Sequence, residues 1–265
     1  MNREPLAGSA PTSGGARPPE EERTPVVRTL SASTPPLAGR TGAGVSIAVI
    51  DSGINPGHPH LGPIAGGVGL TPDGEETTGF VDRLGHGTAV TAAIQEKAPG
   101  AEVHIVRVFG DELATSVATL VRAIDWATGR RVHLINLSLG TPNEARRSAL
   151  EAALERAARV GTFLVSASEH DDARWLPGAL PGAIGVRLDW ECPREAVRIR
   201  TGGRAVCAAS GYARPIPGVL PERNLKGISF AVANATGLIA LALEGAGRPR
   251  SVDELWALVR RAAPG

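Results

Sequence analysis

The chain has 265 residues, of which 42% are hydrophobic and 21% charged, and its formal net charge is +1. This length is sufficient for one large α/β domain with a sizeable core, and the composition is that of a globular protein. A charge so close to zero gives no overall field towards nucleic acid or an anionic membrane, so we expect neither as a partner. No stretch approaches the roughly 20 consecutive apolar residues that span a membrane.

The N-terminal part of the chain differs in composition from the rest. Residues 1–37 are rich in Pro, Gly, Ser, Thr, Glu and Arg and contain few large apolar residues. We predict a disordered arm over 1–37 and one folded domain over 38–265. No apolar run of the kind found in a secretory signal follows Met1, so we expect a cytoplasmic protein.

From about Arg40 onwards, short apolar runs alternate with amphipathic stretches. The runs are nearly continuous in apolar residues, as buried strands of a parallel sheet are. They lie at residues 45–50, 103–108, 132–137, 163–167 and 183–186. Helical periodicity in the apolar residues predicts helices over 113–127 and 144–160, and Gly161 is placed to end the second of them. Ser251 with Glu254 three residues later forms a capping box, which predicts the start of a last helix. The alternation predicts a mostly parallel sheet with helices on both faces, and such sheets bind ligands beyond the carboxyl ends of their strands.

The first residue with candidate chemistry, Asp51, directly follows the first predicted strand in the segment VSIAVIDSGINPGHPHL. A carboxylate at this position orients an imidazole, ligates a metal or caps the next turn, and the residue alone does not distinguish these roles. His86 lies between two glycines in DRLGHGTAV, and glycines allow the backbone to approach closely. A solvent-exposed turn histidine is the alternative, but that explanation suits His58 or His60 better than the GHGT context.

A serine completes this set of residues. Ser229 lies at the head of a long apolar helix in LKGISFAVANATGLIALAL, where the helix dipole stabilises an oxyanion. The alternative is a plain N-cap serine. Asp51, His86 and Ser229 together are more specific than any one of them. A serine hydroxyl becomes a good nucleophile when a histidine takes its proton and a carboxylate holds that histidine.

The two cysteines, Cys192 and Cys207, have no CxxC or Cys/His spacing, so a zinc site is not expected. We interpret them as small buried side chains, with a redox bridge as the alternative. No metal and no cofactor is expected for this chain.

These motifs resemble those of the subtilisin-like (subtilase) family over nearly the whole chain from about residue 40. DSGI with HPHL at 51–61 is similar to the family's Asp block, GHGT at 85–88 to its His block, and GISFA at 227–231 to its Ser block, usually GTSMA. KAPGAEVHIVRVF at 97–109 and INLSLG at 135–140 resemble the segments between them. The resemblance implies a three-layer α/β/α fold with a mostly parallel sheet of about seven strands. It also implies a serine endopeptidase that acts on a peptide or protein substrate through an acyl-enzyme.

The same resemblance implies residues that bind the substrate. Ser138, Leu139 and Gly140 would line one wall of the pocket for the residue before the scissile bond. The stretch around Gly110 would pair with the substrate backbone as an added strand. Ser168 and Trp175 are assigned to substrate binding as well. Trp175 would shrink the pocket and favour small side chains, whereas the acidic residues nearby would instead select Arg or Lys. These acidic residues are Glu169, Asp171 and Asp172, and loop solvation is the alternative explanation for them and for Trp175.

The sequence also departs from the family pattern. The family's oxyanion-binding Asn, usually in AAGN, corresponds to His170 in the run SASEHDD, where the alternative is a solvated loop histidine. A ring nitrogen can donate, but losing one such donor typically costs about 10²–10³ in turnover, so we expect slow, substrate-restricted catalysis. Ile228 and Ala233 replace the family's Thr and a common Pro, which motivates a transpeptidase or macrocyclase as one alternative. A catalytically impaired peptide-binding module is the other. The segment AIQEKAPG is too short for the family's calcium loop, so no calcium is expected there.

Overall fold

A computed structural model describes residues 26–110, 114–201 and 204–263 of the chain. The strands in these ranges are β1 (Val26–Ser31), β2 (Ser46–Asp51), β3 (Gly66–Leu70), β4 (Glu76–Thr77), β5 (Glu102–Arg107), β6 (Leu134–Leu137), β7 (Phe163–Ala167), β8 (Glu169–His170), β9 (Ala173–Arg174), β10 (Ile184–Leu188), β11 (Ala196–Thr201) and β12 (Val206–Ala209). The helices are α1 (His86–Lys97), α2 (Val117–Gly129), α3 (Arg147–Arg159), α4 (Ile228–Leu243) and α5 (Val252–Ala262). Within the described ranges, no helix has both the length and the apolar character that a membrane crossing requires.

Ten of these strands form one sheet, in the order β1-β11-β12-β10-β7-β6-β2-β5-β3-β4. The strands from β12 to β3 in this order are parallel to their neighbours, and there are seven of them. Antiparallel strands extend both edges: β11 and β1 on one side and β4 on the other. The predicted parallel sheet of about seven strands is therefore confirmed, and β8 with β9 forms a separate hairpin.

Helices cover both faces of the sheet, as the side chains along β2 show. Ile47 and Val49 pack with α1, α4 and α5 in one buried cluster, whereas Ala48 and Ile50 pack with α2 and α3 in another. Successive side chains of a strand point to opposite faces, so a strand buried on both faces needs apolar residues at almost every position. This burial explains the nearly continuous apolar runs in the sequence and confirms the predicted three-layer α/β/α fold.

The helix signals in the sequence mark real helix ends. The Ser116 hydroxyl oxygen accepts a backbone N–H group at the start of α2 at 3.0 Å. Gly161, just after α3, has a φ of 74°, the left-handed conformation that commonly ends a helix. At α5 the Ser251 hydroxyl accepts the Glu254 N–H at 3.1 Å. The Glu254 carboxylate accepts the N–H of Arg250, one residue before the cap, at 2.8 Å, so the capping box forms in a shifted version.

The folded domain begins earlier than predicted. Val26–Ser31 forms β1, antiparallel to β11, and Leu30 and Leu37 are buried in the core, although all of them fall within the predicted arm of residues 1–37. An edge strand needs apolar side chains at only a few positions, and the polar composition of the whole segment concealed them. Residues 1–25 lie outside the described residues, and for them a disordered arm stays a prediction.

Cys192 and Cys207 are both free and buried. The Cys192 thiol donates to the Ala196 carbonyl oxygen at 3.3 Å. Burial raises the pKa of each thiol above its ordinary value, so both are protonated near neutral pH. These observations agree with the interpretation of the cysteines as small buried side chains rather than as a bridge.

Candidate active site

A buried carboxylate at the carboxyl end of β2 is the first part of the site. Asp51 is fully buried, and its Oδ1 accepts a hydrogen bond from the Ser52 backbone N–H at 2.8 Å. The same Oδ1 lies 2.7 Å from Nδ1 of His86. Asp51 Oδ2 is buried without a hydrogen-bond partner among the described residues. A carboxylate oxygen at this distance favours the imidazole with Nδ1 protonated, which leaves Nε2 free to accept a proton.

His86 is the first residue of α1, and its glycine neighbours make its position feasible. Gly85 has a φ of 80°, in the left-handed region that glycine adopts most easily. A Cβ at Gly87 would lie 2.4 Å from the Gly53 carbonyl oxygen, so a side chain there would push α1 away from the loop after β2. The two glycines therefore let the helix begin against Asp51, and the His86 side chain is only 22% exposed rather than standing in solvent as a turn histidine.

Opposing effects act on the charge of His86. Burial lowers the pKa of the imidazole, but the hydrogen bond with Asp51 and the negative charges of Asp51 and Asp82 raise it. The net pKa of His86 lies above its ordinary value of 6.5. The site therefore stabilises the imidazolium, which is the form that a general base reaches after it takes a proton.

A second buried carboxylate, that of Asp82, was not predicted from the sequence. Its Oδ1 accepts hydrogen bonds from the Ser52 hydroxyl and the Gly85 N–H, each at 2.8 Å. Its Oδ2 accepts from the Thr88 N–H at 2.8 Å and the Thr88 hydroxyl at 2.6 Å. Burial raises the pKa of Asp82, but these hydrogen bonds lower it more, so the group is an anion at neutral pH. Asp82 thereby joins the loop after β2 to the first turn of α1. Its signal in the sequence was an aspartate shortly before a helix start.

Ser229 is the second residue of α4. The N-cap of this helix is Gly227, and no side chain caps the helix, so the interpretation of Ser229 as a plain N-cap is wrong. The Ser229 hydroxyl donates a hydrogen bond to the Ser138 carbonyl oxygen at 3.3 Å. Backbone N–H groups in the first turn of a helix lack intrahelical acceptors and carry partial positive charge, so this position favours an anion.

One cavity of about 270 Å³ brings most of the predicted residues together. Its lining residues are Asp51, His86, Phe109, Ser138, Leu139, Gly140, Trp175, Ile228 and Ser229. All of them come from the carboxyl ends of parallel strands, from α1 and α4, or from nearby loops, as expected for a ligand site in such a sheet. Phe109, which follows β5, is the last residue of the run KAPGAEVHIVRVF and had been assigned no role from the sequence.

Trp175 forms one side of this cavity and packs closely on Gly140. A Cβ on Gly140 would lie 2.3 Å from Trp175 Cδ1, so only a residue without a side chain fits between the indole and this wall. The backbone N–H of Trp175 donates to the Ser168 carbonyl oxygen at 3.1 Å. This bond holds the segment that carries the indole against the end of β7. The indole therefore lines the cavity beside Gly140, and its effect on the size of the pocket stays a prediction.

Three other predicted residues lie elsewhere or are only partly described. The Ser168 side chain does not line the cavity, because it is buried and its hydroxyl donates to the Val186 carbonyl oxygen at 3.2 Å. Gly110 is exposed next to Phe109, and its role in pairing with a substrate stays a prediction. The backbone of His170 pairs with Ala173 in the β8–β9 hairpin, and its side chain lies outside what the structure describes.

No metal site built from side chains is found in the described part of the chain, where no three or more His, Cys, Asp or Glu side chains are grouped to hold an ion. A calcium site often uses backbone carbonyl oxygens, which such a grouping does not test. The predicted lack of calcium therefore stays a prediction.

The chain is similar in sequence and in fold to known proteins. The family model described as "Subtilase family" matches residues 42–183. Subtilisin Savinase from Lederbergia lenta is 32% identical over 219 residues, which is 78% of this chain and 76% of that protein. An alkaline protease from Alkalihalobacillus alcalophilus is also 32% identical over 219 residues, but the match spans only 54% of its length. A solved structure described as a cold adapted subtilisin-like serine proteinase superposes with a TM-score of 0.62 at 21% identity, covering 83% of this chain and 82% of that one. At this identity the structural match concerns the fold alone.

Proposed function

Because the chain belongs to the subtilase family of serine endopeptidases, we propose that Ser229 is its nucleophile, His86 its general base and Asp51 the carboxylate that orients His86. The observation that carries this proposal is the 2.7 Å contact between His86 Nδ1 and Asp51 Oδ1, beside a cavity that Ser229 also lines. Three residues far apart in the sequence line this one cavity, which supports a serine nucleophile activated by a histidine.

In the proposed reaction, the Ser229 hydroxyl turns from the Ser138 carbonyl oxygen towards His86 Nε2. The imidazole takes the hydroxyl proton while the serine oxygen attacks the carbonyl carbon of the scissile peptide bond. Asp51 and Asp82 stabilise the imidazolium that forms. His86 then gives the proton to the leaving amine, which departs and leaves an acyl-enzyme on Ser229. Water attacks this ester with His86 again as the base, and the serine hydroxyl is restored.

The tetrahedral intermediates of this reaction carry a negative oxygen. The first-turn N–H groups of α4 are the donors that we propose for it, because they carry the positive end of the helix dipole. His170 is proposed as a second donor in place of the family's amide. A substituted donor accounts for the slow, substrate-restricted hydrolysis that we propose, since one lost donor costs about 10²–10³ in turnover.

A second candidate function is transpeptidation or macrocyclisation through the same acyl-enzyme. Ile228 supports it, because this residue lines the cavity beside Ser229 and sets an apolar side chain where the family usually has a hydroxyl. An apolar surface disfavours water relative to an amine nucleophile. Product mass separates the two functions: hydrolysis adds one water to the products of each cleaved bond, whereas cyclisation or transfer to an amine adds none.

A fluorophosphonate probe tests the proposed nucleophile. We expect a covalent adduct on the peptide that contains Ser229, located by mass spectrometry, and peptide cleavage that the probe blocks. An adduct on a different serine would contradict the assignment.

The cytoplasmic location expected from the N-terminal sequence is a further proposal, and fractionation of the producing cells tests it.

The pH dependence of kcat/KM depends on His86 and Asp82. Activity requires neutral His86, so it should fall as the pH drops through the pKa of His86, which lies above 6.5. Asp82→Asn removes a negative charge that raises this pKa. The acid limb of the profile should therefore move to lower pH, and kcat should fall by about 10–100-fold as the start of α1 shifts. Asp73→Asn removes an exposed carboxylate and serves as the matched control. An acid limb unmoved by Asp82→Asn would contradict the electrostatic role of Asp82.

Substrate size should depend on Trp175. Trp175→Ala removes the indole from the cavity, so kcat/KM for peptides with a large apolar residue before the scissile bond should rise at least about tenfold relative to alanine peptides. Gly140→Ala should act in the opposite direction, since its Cβ would press on the indole. The same change should stay unfavourable in a Trp175→Ala background, because the Cβ would also lie 2.5 Å from the Leu176 carbonyl oxygen. Equal preferences in wild type and Trp175→Ala would remove Trp175 from the pocket.

A further inference from the structure

A second cavity, of about 190 Å³, lies next to the active-site cavity. The two have no lining residue in common. They meet near the N-terminal ends of α1 and α4, because Gly85 in the second cavity directly precedes His86, and Leu225 lies in the segment that leads into Ser229. The short segments 85–86 and 225–229 therefore link the two cavities.

The polar part of its lining combines basic side chains with the neutral Asn55, Thr88 and Asn224. His58, His60 and Arg214 all line it, and no Asp or Glu is among the described lining residues. His58 Nδ1 accepts the backbone N–H of His60 at 3.2 Å, so its Nε2 carries the proton and donates. Burial lowers the pKa of His60, Arg214 and His58 lower it further, and only Glu96 acts in the opposite direction. The lining therefore offers one permanent positive charge, the Arg214 guanidinium, together with two histidine side chains.

The guanidinium of Arg214 has N–H donors available for a ligand. It is half-buried, and one of its N–H groups donates to the His60 carbonyl oxygen. In the described part of the chain it pairs with no carboxylate, and the nearby Glu96 is already bound to Lys97 and Arg194. A guanidinium carries five N–H donors in a fork that fits a carboxylate, so Arg214 can bind a carboxylate from outside the chain.

The mouth of the cavity is apolar. Ile216 is 43% exposed and Leu225 is 53% exposed, and both line the cavity. Large apolar side chains at the edge of a concave site, with a few convergent donors inside it, are typical of a binding site. The ligand that fits this combination has a carboxylate at the tip of a short apolar stem.

We propose that this second cavity binds an Asp or Glu side chain of the substrate, on the leaving-group side of the scissile bond, through Arg214 and the two histidines. The inference rests on the proposed endopeptidase function. The acyl half of a substrate would lie along Ser138–Gly140 in the first cavity, and the leaving half would continue past His86. Selection of an acidic residue there narrows the substrate class and agrees with an enzyme restricted to few substrates.

Matched peptides test this assignment. Cleavage sites are found first by digesting a peptide library, and pairs are then made that differ only in Glu or Gln at one of the first three positions after the bond. The wild type should show a kcat/KM for the best Glu peptide about tenfold above that of its Gln partner, the scale of one charge-assisted hydrogen bond. Arg214→Gln should bring this ratio near one, and Arg214→Glu should reverse the preference towards a Lys peptide.

The ratio of kcat/KM for the Glu peptide to that for its Gln partner is taken within each variant, so a general change in activity does not affect it. Arg223→Gln is the matched control, because it removes an exposed arginine from the same loop without lining the cavity, and it should keep the tenfold ratio. A wild-type ratio near one, or a ratio retained in Arg214→Gln, would overturn the assignment. Failure of the proposed function appears separately, as absent fluorophosphonate labelling. In that case, binding of the fluorescent Glu and Gln peptides still tests the cavity, and equal affinities overturn it.

Discussion

Replacing Ser229 with alanine should abolish fluorophosphonate labelling and lower peptide hydrolysis by about 10⁶-fold, the scale expected when a serine triad loses its nucleophile. Ser138 and Ser229 are the two hydroxyl-bearing residues that line the described cavity, and only Ser229 lies at the head of α4. Labelling is followed by gel fluorescence and hydrolysis by the release of peptide fragments. The folded state is checked by thermal denaturation of both proteins.

Ser138→Ala is the control for this experiment. The Ser138 hydroxyl lies in the same cavity, but Ser229 contacts the backbone carbonyl of Ser138, which the substitution retains. The Ser138→Ala variant should still carry the label. Label that persists in Ser229→Ala would show that another residue reacts. A wild type that takes no label would favour the peptide-binding module over an active protease.

Replacing Asp51 with alanine should lower kcat/KM by about 10⁴-fold, because His86 loses both its orientation and the charge that stabilises the imidazolium. The acid limb of the pH profile should also move to lower pH, since the hydrogen bond and charge of Asp51 raise the pKa of His86. Steady-state kinetics across the pH range measures both effects. A variant within tenfold of wild type at every pH would rule out Asp51 as the orienting carboxylate.

Asp51→Asn separates orientation from charge in this site. The Ser52 N–H and His86 Nδ1 share the same oxygen, Oδ1. An amide oxygen would keep this position because the Ser52 N–H requires an acceptor, so the Nδ1-protonated form of His86 would persist. We therefore expect Asp51→Asn to lose less activity than Asp51→Ala while shifting the acid limb in the same direction. Equal losses in the two variants would show that charge alone matters.

Much of the molecule could be predicted from local patterns. The five apolar runs lie in β2, β5, β6, β7 and β10, because strands buried on both faces need continuous apolar sequence. Gly85 and Gly87 were interpretable as close-approach residues since a side chain at the latter has no room. The position of Asp51 at the end of a strand and of Ser229 at the head of an apolar helix followed from the same patterns.

Other features required the tertiary structure. The strand at Val26–Ser31 was concealed, since an antiparallel edge strand is stabilised by β11, far along the chain, rather than by its own composition. Asp82 was not predicted, because its role depends on contacts with Ser52 and Thr88 that only the folded chain brings together. The Ser168 hydroxyl donates to a carbonyl oxygen of β10, and this contact could not be predicted from neighbouring residues.

The sequence by itself determined five strands of the sheet, the main helical segments and the three candidate residues of the site, because backbone preference and burial depend largely on neighbouring residues. Only the tertiary structure decided which side chains share a cavity. The parallel order of the strands brings Asp51 and Ser138 to one edge of the sheet, and the packing of α1 against α4 brings His86 and Ser229 to it. Arg214 reaches the neighbouring cavity for the same reason: contacts between distant segments depend on how whole elements pack, and that packing has no local signature.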